Sequence, residues 1–188
     1  MGSIPLLTRE EEIRLAKKIE TTRMIFRRRC LESEYLVGEA CQVLRQVEAG
    51  SLPFDRTMRI STLESNAKEK IAKRIPANLP TIEKLLEANR ADWEALEALP
   101  PRQKKKAEEI RARMAVRRRR MAALTEELSL RTGRIIPLMR KLRSITKKML
   151  DLEAALAQTG KPRPGQDPED IMVMREELDG LRALVLEG

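Results

Sequence analysis

Aromatic side chains are nearly missing from this 188-residue chain: Phe26, Tyr35, Phe54 and Trp93 are all of them. Charged residues make up 36%, and Leu, Ile, Met and Ala supply most of the apolar content. That composition reads as long helices or coiled coil rather than a compact sheet-based core. Histidine is absent, which removes the usual general base, the commonest metal ligand and every Ser-His or Cys-His nucleophile. No apolar run approaches the roughly 18 residues that suggest a transmembrane helix, and no secretory signal opens the chain. Cys30 and Cys41 stand three helical turns apart, roughly 16 Å on one helix, far outside disulfide reach. Both read as reduced, small apolar residues. Gly160-Lys161 lacks the upstream glycine and the following Ser/Thr of a phosphate loop. The many carboxylates are accounted for by helix surfaces. No catalytic residue, cofactor, metal or small-molecule substrate is therefore expected, and the chain reads as non-enzymatic, cytoplasmic and free of membrane segments.

The charge that is present is unevenly placed. Residues 102–157 hold 17 Lys and Arg against 6 Asp and Glu, while the rest of the chain is close to balance or slightly acidic. The net charge of +9 thus belongs to one segment. Lys104, Lys105, Lys106, Arg111, Arg113, Arg117, Arg118, Arg119 and Arg120 crowd the start of a helix there, where cations oppose the helix dipole. A polyanion would favour that arrangement by releasing counterions. Arg27, Arg28 and Arg29 form a second run. For both runs the alternatives are a solvated helix face and contact with nucleic acid or an acidic protein surface.

Helical periodicity organises the chain. Thr8 followed by Glu11 has the form of a capping box, with Glu10, Glu11 and Glu12 at the positive end of the dipole. Leu15, Ile19, Thr22, Phe26, Cys30, Ser33, Val37, Ala40, Leu44 and Val47 then recur in steps of three and four. They predict one helix of about forty residues ending near Gly50. Residues 51–64 read as an irregular connection with an extended piece, from which Leu52 and Phe54 can dock on the first helix. A short helix over 66–75 is expected to end at Pro76, and Pro80 to open a second over 81–99. Trp93 on its stripe reads as a packing anchor. From Ile110 to Leu156 fourteen positions step by four and three, and twelve are apolar. Arg117 and Arg131 are the exceptions. Pro137 and Gly133 predict a kink or a break near 132–136. The partner of this seam is expected to be the first long helix, antiparallel. Residues 158–168 read as a linker, and Pro168 as the start of an acidic amphipathic helix carrying Ile171, Met174, Leu178, Leu181 and Val185. The fold class is all-α: long antiparallel helices or a bundle with coiled-coil-like pairing. The segments are 1–50, 51–157 and 158–188.

Met1, Gly2, Ile4 to Thr8, Glu10 to Ile13 and Leu15 to Glu20 form the string IPLLTREEEIRLAKKIE with its lead. This string resembles the bacterial primary sigma factors of the sigma-70 family, just upstream of their promoter-melting domain. RIPANLPTIEKLLEANRADW (74–93) and LTEELSLRTGRIIPLMRKL (124–142) resemble the helical insertion that some of these factors carry. The resemblance implies RNA polymerase core as partner, with promoter DNA contacted weakly or indirectly, and a location at the nucleoid. In the family, the nearby DNA-reading residues precede the position of Met1. No core-binding block or helix-turn-helix follows, and four aromatics are too few for a surface that stacks flipped bases. The chain is therefore expected to be a fragment, a truncated product or a split subunit that does not initiate transcription alone. The other reading is a coiled-coil adaptor with a basic nucleic-acid-binding segment.

Overall fold

The computed structural model describes residues 6–60, 66–158 and 168–187. Seven helices follow one another there: α1 (Arg9–Leu31), α2 (Glu34–Glu48), α3 (Phe54–Thr57), α4 (Ala67–Glu97), α5 (Lys104–Glu127), α6 (Thr132–Gln158) and α7 (Pro168–Val185). Among the described residues, extended backbone pairs only at one antiparallel bridge between Met58 and Leu130. The all-α reading holds. Ile4, Pro5 and the linker at 159–167 lie outside the described residues.

The start of α1 is as the sequence predicts. Thr8 Oγ1 accepts from the Glu11 N–H at 3.3 Å, and the Glu11 carboxylate accepts from the Thr8 N–H at 2.8 Å. The expected forty-residue helix, however, breaks at Glu32 and Ser33. The Glu32 N–H is shared between the carbonyls of Arg28 and Arg29, and Ser33 is extended, with φ −85° and ψ 128°. Serine favours helix starts over helix interiors. The break turns α2 inward, burying Leu36, Val37, Ala40, Cys41, Leu44 and Val47. The first half of α1 is left outside: Leu15 is 38% and Ile19 57% exposed, so the predicted stripe is uncovered there. Gly50, with φ +75°, ends the pair as expected.

The two short helices expected around Pro76 and Pro80 are one helix, α4. Ile71, Ile75, Leu79 and Ile82 form an unbroken buried line across both prolines, whose rings face solvent. Burying four aliphatic side chains, at roughly 1.5–3 kcal/mol each, competes with a cost of about 3 kcal/mol per interior proline. The apolar face wins. Between α2 and α4, α3 is a short helical turn and Met58 is fully buried beyond it. Phe54 docks against the core half-buried, with Lys68 Nζ 5.5 Å from its ring.

The long seam is two helices, α5 and α6, and the break falls at 128–131 rather than 132–136. Ser129 takes a left-handed φ of +55°, and Gly133 and Pro137 lie in the opening turns of α6. The expected partner, the span of α1 and α2, does pack on both halves of the seam, but it shares them with α4, the chief neighbour of α5, and α7, the chief neighbour of α6. A third, unanticipated factor sets the break. Arg59 N–H donates to Ser129 O at 2.7 Å and Arg131 N–H to Thr57 O at 3.0 Å, so the corner is held by backbone from the connection after α3. Leu36, Leu79, Met121, Ile135 and Val185 share one core, drawn from all three sequence segments. Trp93 anchors a smaller cluster with Ile110, Met114 and Leu186.

Arg27 of α1 fastens this corner. It is 4% exposed, and its guanidinium donates to Glu126 at 3.0 Å, to Leu130 O at 2.5 Å and to Thr132 Oγ1 at 3.1 Å. Arg27→Ala should lower stability by about 2–3 kcal/mol in urea unfolding, since a carbonyl and a carboxylate lose their donor together. Arg27→Lys should recover only a minor part, because an ammonium cannot reproduce the fork. Pro76→Ala should raise the urea midpoint, by on the order of 1 kcal/mol in stability, the restored helix bond exceeding the lost stiffening of the unfolded chain.

Candidate functional site

The arginines singled out in the sequence divide into two groups. Those on the inward side of α5 are bound within the fold. Arg113 Nε donates to Asp92 at 2.8 Å, and Arg117 donates to Asp92 and, at 3.2 Å, to Asn89 Oδ1. Arg118 Nε donates to Glu34 at 2.6 Å, and the same guanidinium reaches Leu186 O at 2.9 Å. Asn89 Nδ2 donates to Glu34 at 2.9 Å, so these groups form one network linking α2, α4, α5 and the end of the chain. Arg27 belongs to the corner described above. Four of the twelve candidate cations are thus structural.

That network explains two irregularities in the sequence. Asn89 interrupts the apolar stripe of α4 and Arg117 interrupts the seam of α5, and the two meet each other. Arg131, the other exception on the seam, donates to Met58 O at 3.0 Å and Asp55 O at 2.8 Å. Asp92 and Glu34, the anions these cations serve, were not apparent from the sequence. A signal existed, since a buried arginine needs an anion. Burial pushes the Glu34 carboxyl above its ordinary pKa, against the ion pair with Arg118, and its Oε2 has no partner among the described residues.

The remaining cations face outward. Arg28, Arg119 and Arg120 are exposed and carry no ion pair among the described residues. Arg29 pairs with Glu32 at 3.0 Å but is 77% exposed at its side chain. Arg28, Arg29 and Arg119 line one surface concavity with Ile25, so the fold joins two basic runs about ninety residues apart in sequence. Lys104, Lys105, Lys106 and Arg111 are also exposed and lie toward the other end of α5. At 1.5 Å per residue, Lys104 and Arg119 are roughly 22 Å apart. The basic segment therefore presents two cationic ends rather than one patch.

Cys30 and Cys41 are both free. Burial raises both thiols, Cys41 to about 12, which keeps it protonated and unreactive. No group of His, Cys, Asp or Glu among the described residues is arranged to hold a metal ion. No helix among them is long and apolar enough to cross a membrane.

The hydrogen bond from Arg113, reinforced by Arg117 and opposed by burial, holds the Asp92 carboxyl below the usual carboxylate range. Its stabilising contribution is complete above the unfolded aspartate pKa of about 4 and is lost as pH falls through the lower folded value. Asp92→Asn should therefore lower the urea midpoint at neutral pH. The gap between parent and variant should close as the pH falls through that lower folded value; a gap independent of pH would detach the clamp from this ionisation.

No solved structure matches the chain. Residues 1–24 match the family model for sigma-70 factor, region 1.2.

Proposed function

We propose that the chain is a non-enzymatic component of bacterial transcription initiation, acting in the cytoplasm at the nucleoid. It docks on RNA polymerase core and lies near promoter DNA. The observation that carries this reading is the match of residues 1–24 to sigma-70 region 1.2. That segment covers most of α1, and most of what it covers is turned outward. Ile13, Leu15, Ile19 and Met24 are between 38% and 59% exposed. A capped helix with its apolar residues in solvent is suited to being covered by something else.

The cations of the α1–α5 concavity supply the electrostatic part. Arg28, Arg29 and Arg119 are placed to meet phosphate oxygens or an acidic protein surface, and their contribution would fall with rising salt. The same three residues also support the second reading, a helical adaptor with a basic nucleic-acid-binding end. The two readings separate on polymerase binding.

Immobilised chain should retain core polymerase at low salt. Ile19→Asp with Leu15→Asp should abolish retention while leaving the thermal transition in place, because neither side chain is in the core. Arg28→Glu with Arg119→Glu should weaken retention or DNA gel retardation by about tenfold. Retardation of DNA without any retention of polymerase would select the adaptor. Absence of both, with the charge reversals neutral, would end the proposal.

A further inference from the structure

α6 and α7 are opposite in charge. α6 carries six Lys or Arg against two Asp or Glu, and residues 168–187 carry six Asp or Glu against two Arg. They pack together, with Lys148 pairing to Glu177 at 3.2 Å and Arg182 to Glu153 at 2.8 Å. α7 is an acidic amphipathic helix whose Leu178 and Val185 are buried. One side of α6 therefore already holds a partner of defined chemistry.

Another side of α6 repeats the same features with nothing on it. Met139, Leu142 and Leu150 line a surface groove of about 730 Å³, rimmed by Arg140, Arg143 and Lys147. Leu150 is 60% exposed, whereas Met139 and Leu142 are half-buried and continuous with the core, so the floor is firm. The three rim cations carry no ion pair among the described residues, and no acidic residue lines the groove. From Met139 to Leu150 the groove runs about 16 Å, three turns of helix.

We propose that this groove docks an acidic amphipathic helix of a partner protein. The length suits apolar anchors one turn apart, and the rim suits carboxylates flanking them, as in other helix-in-groove recognition. Nucleic acid fits less well, since no aromatic residue is present to stack a base and the floor is apolar. Its rim cations do not line the Arg28, Arg29 and Arg119 concavity, although Leu142 of its floor also borders a neighbouring hollow with Arg29 and Arg119, and the proposal does not depend on the role assigned to that concavity.

The test uses the full chain and a labelled synthetic peptide of α7 length, with leucines spaced to form one helical stripe and glutamates beside them. Its controls are the same composition scrambled and a DNA duplex. Fluorescence anisotropy should show saturable binding of the striped peptide and much weaker binding of the scrambled one. Leu150→Glu and, separately, Arg143→Glu with Lys147→Glu should each weaken it about tenfold or more. Lys104→Glu with Lys105→Glu, at the far end of α5, should leave it unchanged. Circular dichroism melting of each variant confirms folding. The proposal is overturned if the striped peptide does not bind, if both peptides bind alike, or if Leu150→Glu has no effect. It is equally overturned if these substitutions abolish DNA binding alone, or if they dissolve a dimer of the chain that otherwise occupies the groove.

Discussion

A single guanidinium decides how the two halves of the long basic seam meet. Arg27 reaches from α1 into the α5–α6 corner and serves a carboxylate on the last turn of α5, a carbonyl in the break and a hydroxyl at the start of α6. Lone pairs at a buried break must be answered by some donor. Only arginine offers several donors in a plane wide enough to answer three elements at once. With the corner fixed, Met58 and Leu130 can pair and α6 is aimed along α2 toward α7. The other buried ionic group, Glu34 with Arg118, performs the analogous task at the opposite side, tying α2 to the end of the chain. Buried ion pairs of this kind stabilise weakly in net terms but are costly to half-remove. Their effect here is to choose among packings that apolar faces alone would leave nearly equivalent.

Much of this fold was legible in the sequence, because periodicity reports the inward face whatever the partner. The positions from Ile110 to Leu156 do point inward almost without exception, and so do those of α7 and the second half of α4. What periodicity does not report is where a helix stops when neither glycine nor proline marks the place. The stripe from Leu15 to Val47 runs through Ser33 without interruption, yet the chain turns there. Conversely, Pro76 and Pro80 are local stop signals that a continuous buried line overrides. Both outcomes follow from tertiary packing outweighing local propensity. The partner of each face was only partly within the reach of pattern: α1 and α2 do cover the seam, but they share it with α4 and α7.

The candidate site shows a sharper version of the same limit. A run of four arginines cannot be sorted by sequence into those that face in and those that face out, beyond the position of Arg117 on the seam. The fold assigns Arg117 and Arg118 to Asp92, Asn89 and Glu34, and leaves Arg119 and Arg120 to solvent. It also draws Arg28 and Arg29 alongside Arg119, an encounter between distant segments that no local pattern contains. Excess positive charge is therefore a poor guide to a binding surface until the internal ion pairs have been subtracted.

The exposed first half of α1 carries a last consequence. Between its capping box and the Glu20–Arg59 pair at 2.9 Å, it makes little contact with the core. Its helicity there rests on local terms: a cap, a favourable dipole and side-chain pairs one turn apart. Such a segment opens and closes without the rest of the protein taking part, as a separate cooperative unit of low stability. The part of the chain that matches sigma-70 region 1.2 is thus thermodynamically decoupled from the part that fixes its fold. Selection on folding leaves residues such as Leu15 and Ile19 free to vary; only selection by whatever covers them would hold them in place.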